Sequence, residues 1–339
     1  MSTSNYFDEL TTRVDAELET IVNERGFPLY DMMGYHLGWR GAPGHTDDFP
    51  RRQERTHGLL TVLACESVGG DIEPCLPAAA ALELVDKFSE IHDDVQEGNP
   101  QRNERDAVWW VWGPAQAINA GDGMHALGRL ALLRLAERGV PDERVFEIVR
   151  IVDRASLRVC EGRFRDLEAQ ERIDLSVSAY LEMAADKSGA LMGCALQVGA
   201  LIGGADNGIG ETLAECGEKL GVALQVRSDM EALWGGGPNS QPNVEVLNKK
   251  KLIPVVYALE QASISEKRAM GEIYFKRVLD AEDAVKLRDV IEGLGARAAC
   301  EDMADILIAE AMAAIDSSGI GSDGKRRMRE CVEALVRAR

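Results

Sequence analysis

Helical periodicity, with no competing pattern, constrains this chain most. Over Met1–Arg25 the apolar residues Phe7, Leu10, Val14, Leu18 and Ile21 recur at three- and four-residue spacing, which places them on one stripe of a helix. Gly26-Phe27-Pro28 ends that stretch, because glycine and proline both break a helix. The same periodicity returns over Thr56–Val68, Leu76–Gln96, Trp110–Glu137, Asp142–Gln170, Val177–Ile202, Ile209–Glu231, Leu252–Leu259 and Asp280–Ile315. Strand-like alternation is absent, and aromatics make up only 5% of residues. Helices this long bury their stripes best against one another. The expected fold is therefore all-α, a single large bundle of long, mostly antiparallel helices spanning 1–339 as one domain. Gly41–Arg52, Gly235–Asn248 and Asp316–Gly324 are the expected loops.

The charge balance excludes several partners. A net charge of −19 repels phosphate backbones, so no nucleic acid is expected, and anionic lipid is disfavoured for the same reason. No apolar run is long enough to span a bilayer, and the polar, acidic start predicts no secretory signal. Seven cysteines, an odd number without CxxC spacing, lie mostly among apolar neighbours, which predicts a reducing, cytoplasmic setting.

The chemistry concentrates in Ile91-His92-Asp93-Asp94-Val95-Gln96-Glu97-Gly98-Asn99-Pro100-Gln101-Arg102. Asp93 and Glu97 stand one helical turn apart and share a face. Two such carboxylates can hold Mg²⁺, a hard cation that completes its shell with substrate phosphates. Arg102 can then grip phosphate oxygens. A solvated acidic helix end, in a chain with 57 Asp and Glu, fits the same residues.

Seven segments in order resemble the trans-polyprenyl synthetase family, the isoprenoid synthase fold of farnesyl and geranylgeranyl diphosphate synthases and, more distantly, of class I terpene synthases. Leu59–Gly70 resembles the helix after the family's Gly-Lys-Arg motif, and Ile91–Arg102 its first aspartate-rich motif. Val108–Asp122 resembles the stretch ending in Ala-Gly-Asp, and Cys160-Glu161-Gly162 with Asp166 the Gly-Gln-x-x-Asp helix. Asp186-Lys187-Ser188 resembles the Lys-Thr pair, Leu224–Asp229 the start of the second aspartate motif, and Asn248–Pro254 the Gly-Lys-x-Thr-x-Pro segment. The resemblance implies two acidic clusters on facing helices that hold Mg²⁺ against an allylic prenyl diphosphate, whose carbon chain lies in an apolar shaft. It assigns Asp93, Asp94, Glu97 and Asp229 to metal, and Arg102, Lys187 and one of Lys249 or Lys250 to the diphosphate, with Gln225 beside it. It places Phe88 near the floor of the shaft, where a bulky ring limits the substrate to about C10 to C20 by filling volume. It also implies a homodimer.

The departures from the family pattern carry further expectations. The family's cationic grip on isopentenyl diphosphate corresponds here to Glu54, His57, Asp86 and Asn103. Like charges about 4 Å apart repel by roughly 4 kcal/mol at an effective dielectric of 20, so Glu54 and Asp86 are expected to oppose a second diphosphate. The second metal motif is reduced to Ser228, Asp229 and an out-of-register Glu231. Arg163 replaces the family's glutamine and offers a cation that partly compensates. Trp109, Trp110 and Trp112 fit core packing or cation–π stabilisation, and His92 and His125 lack metal-ligand partners. Three activities follow: a terpene-synthase-like lyase acting on one substrate, favoured by the lost second site; a prenyltransferase joining the allylic group to isopentenyl diphosphate or another acceptor; or a non-catalytic partner subunit.

Overall fold

A computed structural model describes residues 3–43, 53–170, 172, 174–235, 244–274, 276 and 279–338. Most of the expected loops Gly41–Arg52 and Gly235–Asn248 therefore lies outside the described residues. The described helices are α1 (Thr3–Asn23), α2 (Pro28–His36), α3 (Thr56–Ser67), α4 (Leu76–Glu97), α5 (Val108–Trp112), α6 (Pro114–Glu137), α7 (Asp142–Ala169) and α8 (Val177–Ala184). They continue with α9 (Ala190–Ile202), α10 (Asn207–Trp234), α11 (Val244–Leu247), α12 (Ile253–Gln261), α13 (Ile264–Tyr274), α14 (Ala281–Gly293), α15 (Ala296–Ser317) and α16 (Ser322–Arg337). One two-rung antiparallel hairpin, β1 (Gln101–Arg102) with β2 (Arg105–Asp106), follows α4. The all-α expectation holds.

The chain divides into two compact units. The first comprises Met1–Ser156, Leu191–Ala214 and Ile315–Cys331, and the second Leu157–Ala190, Glu215–Ala314 and Val332–Arg339. In the first unit α4 is the central helix, packing along α6 and against α1 and α3. Ala78, Ala79, Ala80 and Ala81 are fully buried there, and small side chains let neighbouring helices approach closely. Gly128 serves the same end on α6, since a Cβ there would lie 3.1 Å from the Ala81 carbonyl. Closer still is Gly199 on α9, where a Cβ would sit 2.0 Å from the Thr61 oxygen. Among the described residues of the second unit, apolar side chains gather in two clusters. One centres on Leu252, Val255, Met270, Leu287 and Ile291, and the other on Tyr180, Val226, Ile253 and Val256.

Helix ends differ from expectation at glycines. The stretch Trp110–Glu137 breaks at Gly113, whose φ of 85° is open to glycine at little cost, and Pro114 then starts α6. Asp280–Ile315 breaks into α14 and α15 around Gly295 at φ 74°. Val177–Ile202 stays helical but swells into a single π-turn, Ala185–Gly189. The sequence reading did not anticipate α2, α13 and α16. In α16 charged residues interrupt the apolar pattern, and pairs such as Arg326 with Glu330 occupy the helix surface.

Gly199→Ala is expected to lower stability by about 1–3 kcal/mol, because the new methyl meets backbone that cannot rotate away. Thermal unfolding followed by circular dichroism measures it, and an unchanged midpoint would contradict the backbone contact.

Candidate functional site

Glu83, Lys87, Glu90 and Asp94 recur at four- and three-residue spacing along α4, so they form one charged face, and all but the partly covered Glu90 are buried. Each charge is matched. Glu83 accepts a hydrogen bond from the Gly58 N–H at 2.8 Å, and burial raises its pKa. Lys87 Nζ lies 2.9 Å from both Asp86 and Glu90. Burial would lower the Lys87 pKa, but Asp86 and Glu90 outweigh it and raise the pKa above the usual lysine range. Burial would likewise raise Glu90, yet Lys87 and Arg102 hold it well below the usual carboxylate range. His36 reaches Glu90 at 3.2 Å, and burial keeps its pKa low. This charged face escaped the sequence reading, although its helical spacing was visible there.

The C-terminal end of α4 carries the predicted acidic motif. Gly98, in the left-handed conformation, caps the helix through its N–H to the Asp94 carbonyl. Asp93, Asp94 and Glu97 thus stand at the negative end of a helix dipole, where carboxylates are disfavoured unless a cation joins them. Arg102 supplies one cation. Its guanidinium is forked onto Asp94, with Nε 2.9 Å from Oδ2 and Nη2 2.8 Å from Oδ1. The hairpin delivers it there. Asn103 and Glu104 form its tight turn at φ 51° and 60°, which also explains Asn103 in place of a second arginine: asparagine tolerates that backbone better. Asp93 and Glu97 remain partly exposed, and Glu97 accepts a hydrogen bond from Asn99 at 3.0 Å. These two could hold Mg²⁺ with phosphate oxygens completing the shell. Among the described residues no group of three or more His, Cys, Asp or Glu side chains is arranged to hold a metal by itself.

The two acidic positions expected to repel a second diphosphate, Glu54 and Asp86, differ in their surroundings. Asp86 is paired with Lys87, and His57 Nδ1 lies 3.7 Å away. Glu54 is exposed. Arg55 is buried and tied to Asp15 at 2.8 Å and to the Leu37 carbonyl at 2.7 Å, so it is structural. The expected repulsion is reduced at Asp86, which shares Lys87 with Glu90, so its charge is offset in part.

In the second unit the π-turn places Lys187 against Asp166, 2.5 Å away. Gly162 makes this possible, since a Cβ there would lie 2.4 Å from the Lys187 backbone nitrogen. Burial would raise the Asp166 pKa, but Lys187, Lys250 and Arg163 together hold it below the usual range. Lys250 also reaches Glu245 at 2.8 Å. Lys249, by contrast, turns to the Lys276 carbonyl. Gln225 bridges Ser188 at 2.7 Å and Asp229 at 2.8 Å.

Asp229 is placed differently from the metal-ligand expectation. It is 2% exposed and accepts from Tyr180 Oη, Gln225 Nε2 and, at 2.8 Å, the Ile253 N–H. The sequence held a signal for this. Val222, Val226, Asp229 and Leu233 recur on one buried stripe of α10.

The polyprenyl synthetase family model matches residues 52–291. The chain belongs to the polyprenyl synthetase family. A geranylgeranyl diphosphate synthase of Mycobacterium tuberculosis is 33% identical over 291 residues, covering 85% of this chain and 81% of that protein. A geranylgeranyl diphosphate synthase of Sulfolobus acidocaldarius is 28% identical, covering 85% and 84%. Among solved structures, a polyprenyl synthetase from Streptomyces coelicolor A3(2) superposes with a TM-score of 0.85 at 31% identity, covering 97% of this chain and 98% of that one.

Other aromatic residues singled out in the sequence have varied surroundings. Phe88 meets His92 and His125 edge-on at 5.4 and 4.9 Å, on the seam between α4 and α6. Trp109 Nε1 donates to the Asn99 carbonyl at 2.6 Å and so braces the turn after α4, while Trp112 packs edge-on against Tyr35. Trp110 is exposed rather than in the core. No helix among the described residues is long and apolar enough to cross a membrane, and all seven cysteines are free thiols.

Burial pushes the Asp229 pKa up to about 6. A raised carboxylate pKa adds stability at low pH that is lost as pH rises from the unfolded value through the folded one. The stability difference between the wild type and Asp229→Asn is therefore expected to shrink between about pH 4 and pH 6 and to stay flat above. Urea unfolding across that range measures it, and a difference independent of pH would refute the buried carboxyl.

Proposed function

We propose that the protein is a prenyl diphosphate synthase, a prenyltransferase that joins an allylic prenyl diphosphate to isopentenyl diphosphate. The observation that carries this reading is Lys87, buried beside Asp86. Shared between Asp86 and Glu90, it offsets part of the acidic charge there and so weakens the electrostatic objection to a second diphosphate, on which a terpene-synthase-like lyase depended. The geranylgeranyl diphosphate synthases among its relatives support the same choice.

Within this reading Asp93 and Glu97 would hold Mg²⁺ at the end of α4, where the ion would supply Lewis-acid stabilisation to a pyrophosphate leaving group. Arg102 holds Asp94 in place, which keeps the helix end ordered beside the two ligands. Lys187, Lys250 and Arg163 bind phosphate oxygens and orient the allylic substrate, and Gln225 fixes the hydroxyl of Ser188 next to Lys187. A buried, cation-lined environment also limits water, which would otherwise trap the allylic cation. Phe88 stays an expected limit on chain length near about C10 to C20, by occupying volume that a longer chain would need. The protein works in the cytoplasm. Exposed Leu130 and Leu133 on α6 and Phe146 on α7 support a homodimer, since apolar side chains of this size are better covered.

Purified protein with Mg²⁺ and geranyl, farnesyl or geranylgeranyl diphosphate tests the reading. Longer prenyl diphosphates are expected only when isopentenyl diphosphate is present. Pyrophosphate release without it would identify a lyase, and no turnover at all a partner subunit. Asp93→Ala should lower kcat/KM by about two orders of magnitude or more, the loss of a metal ligand. Asp86→Asn should change KM for isopentenyl diphosphate by less than about threefold, because Lys87 already offsets the charge. A large gain in affinity from that substitution would restore the repulsion argument.

A further inference from the structure

We infer that on α10 this chain has exchanged metal binding for structure, and that Arg163 takes over the charge: Asp229 is a bolt between helices, while Arg163, Lys187 and Lys250 hold diphosphate without a metal ligand from that helix. The inference rests on the proposed diphosphate chemistry and deepens it.

Asp229 has its carboxylate committed. Tyr180 comes from α8, Ile253 from the first turn of α12, and Gln225 from one turn earlier on α10. Three elements thus converge on two oxygens of a side chain that is 2% exposed. Pulling it towards a metal would leave the buried Tyr180 hydroxyl and the Ile253 N–H without their acceptor, which costs more than an exposed ligand would. Its neighbour Ser228 carries no charge, and Glu231, two residues further on, is exposed about a half-turn around the helix from Asp229. Carboxylate ligation from this helix therefore lacks a donor in place.

The cations have the opposite arrangement. Arg163 and Asp166 are three apart on α7 and share a face. Gly162 brings that face against the backbone of Lys187, so Arg163 adjoins the lysine that pairs with Asp166. Lys250, 8% exposed, adds a third cation near the same carboxylate. Three cations thus gather around Asp166, and Lys250 also reaches Glu245. A guanidinium suits phosphate oxygens in particular, because its planar fork binds two at once.

Binding of inorganic pyrophosphate to the full chain, measured by calorimetry in EDTA and in Mg²⁺, tests this. Pyrophosphate should bind in EDTA, and Arg163→Gln should weaken that binding by about tenfold or more, the worth of one charged hydrogen bond. Absence of binding in EDTA, or binding indifferent to Arg163→Gln, would overturn the inference. Mn²⁺ affinity in the presence of pyrophosphate, read by electron paramagnetic resonance, gives the second arm. Asp229→Asn, with folding checked by circular dichroism, should stay within about twofold of wild type, whereas Asp93→Asn should weaken Mn²⁺ by about tenfold or more. A tenfold loss in Asp229→Asn would also overturn the inference. Full Mn²⁺ affinity in Asp93→Asn, with the other results as expected, would support the inference and reject only the α4 magnesium site.

Discussion

The buried charged face of α4 is the constraint around which the first unit is organised. Glu83, Lys87, Glu90 and Asp94 run along a helix that the surrounding helices cover, so Glu83, Lys87 and Asp94 cannot rely on bulk water and Glu90 reaches it only in part. Leaving one such charge without its partner typically costs about 3–5 kcal/mol. Much of the neighbouring chain answers to that requirement. The N-terminus of α3 gives the Gly58 N–H, α2 ends in His36, and the hairpin after Gly98 exists to return Arg102 to Asp94. The site at the end of α4 is the part of this face that reaches solvent.

Much of the fold was legible from helical spacing, and so was the acidic motif, because both depend on short-range periodicity. What stayed hidden depends on contacts distant in sequence. Gly113 and Gly295 split helices that periodicity joined, since an apolar stripe continues across a break that a left-handed glycine introduces. Asp86 looked repulsive by alignment, yet Lys87, which offsets part of its charge, was the very next residue. Adjacent positions on a helix face different ways, so proximity in sequence did not suggest pairing until side-chain reach was known. Arg55, which the sequence left without a role, is a buried tie to Asp15 and Leu37. Asp229 looked like a surviving ligand, and its place on the Val222–Leu233 stripe was the overlooked sign of burial.

These cases share a cause. A family motif states which residue types occupy a position, and geometry decides whether the side chain faces substrate or core. Asn103 is the clearest instance. As a missing arginine it suggests lost binding, but as the first left-handed residue of a tight turn it has a conformational purpose. The substituted positions therefore differ in meaning. Asn103 and Asp86 are accommodated locally, whereas Arg163 alters the charge presented around Asp166.

The π-turn at Ala185–Gly189 has an evolutionary corollary. Relative to a regular helix, such a bulge contains one surplus residue, and deleting any of the five would let the segment relax into ordinary α geometry. That repair would swing Lys187 or its successors by about 100° and separate the ammonium from Asp166. Local comfort and the chemistry of the site thus pull in opposite directions here. Single-residue deletions, more than substitutions, are the lesion to which this stretch is most vulnerable.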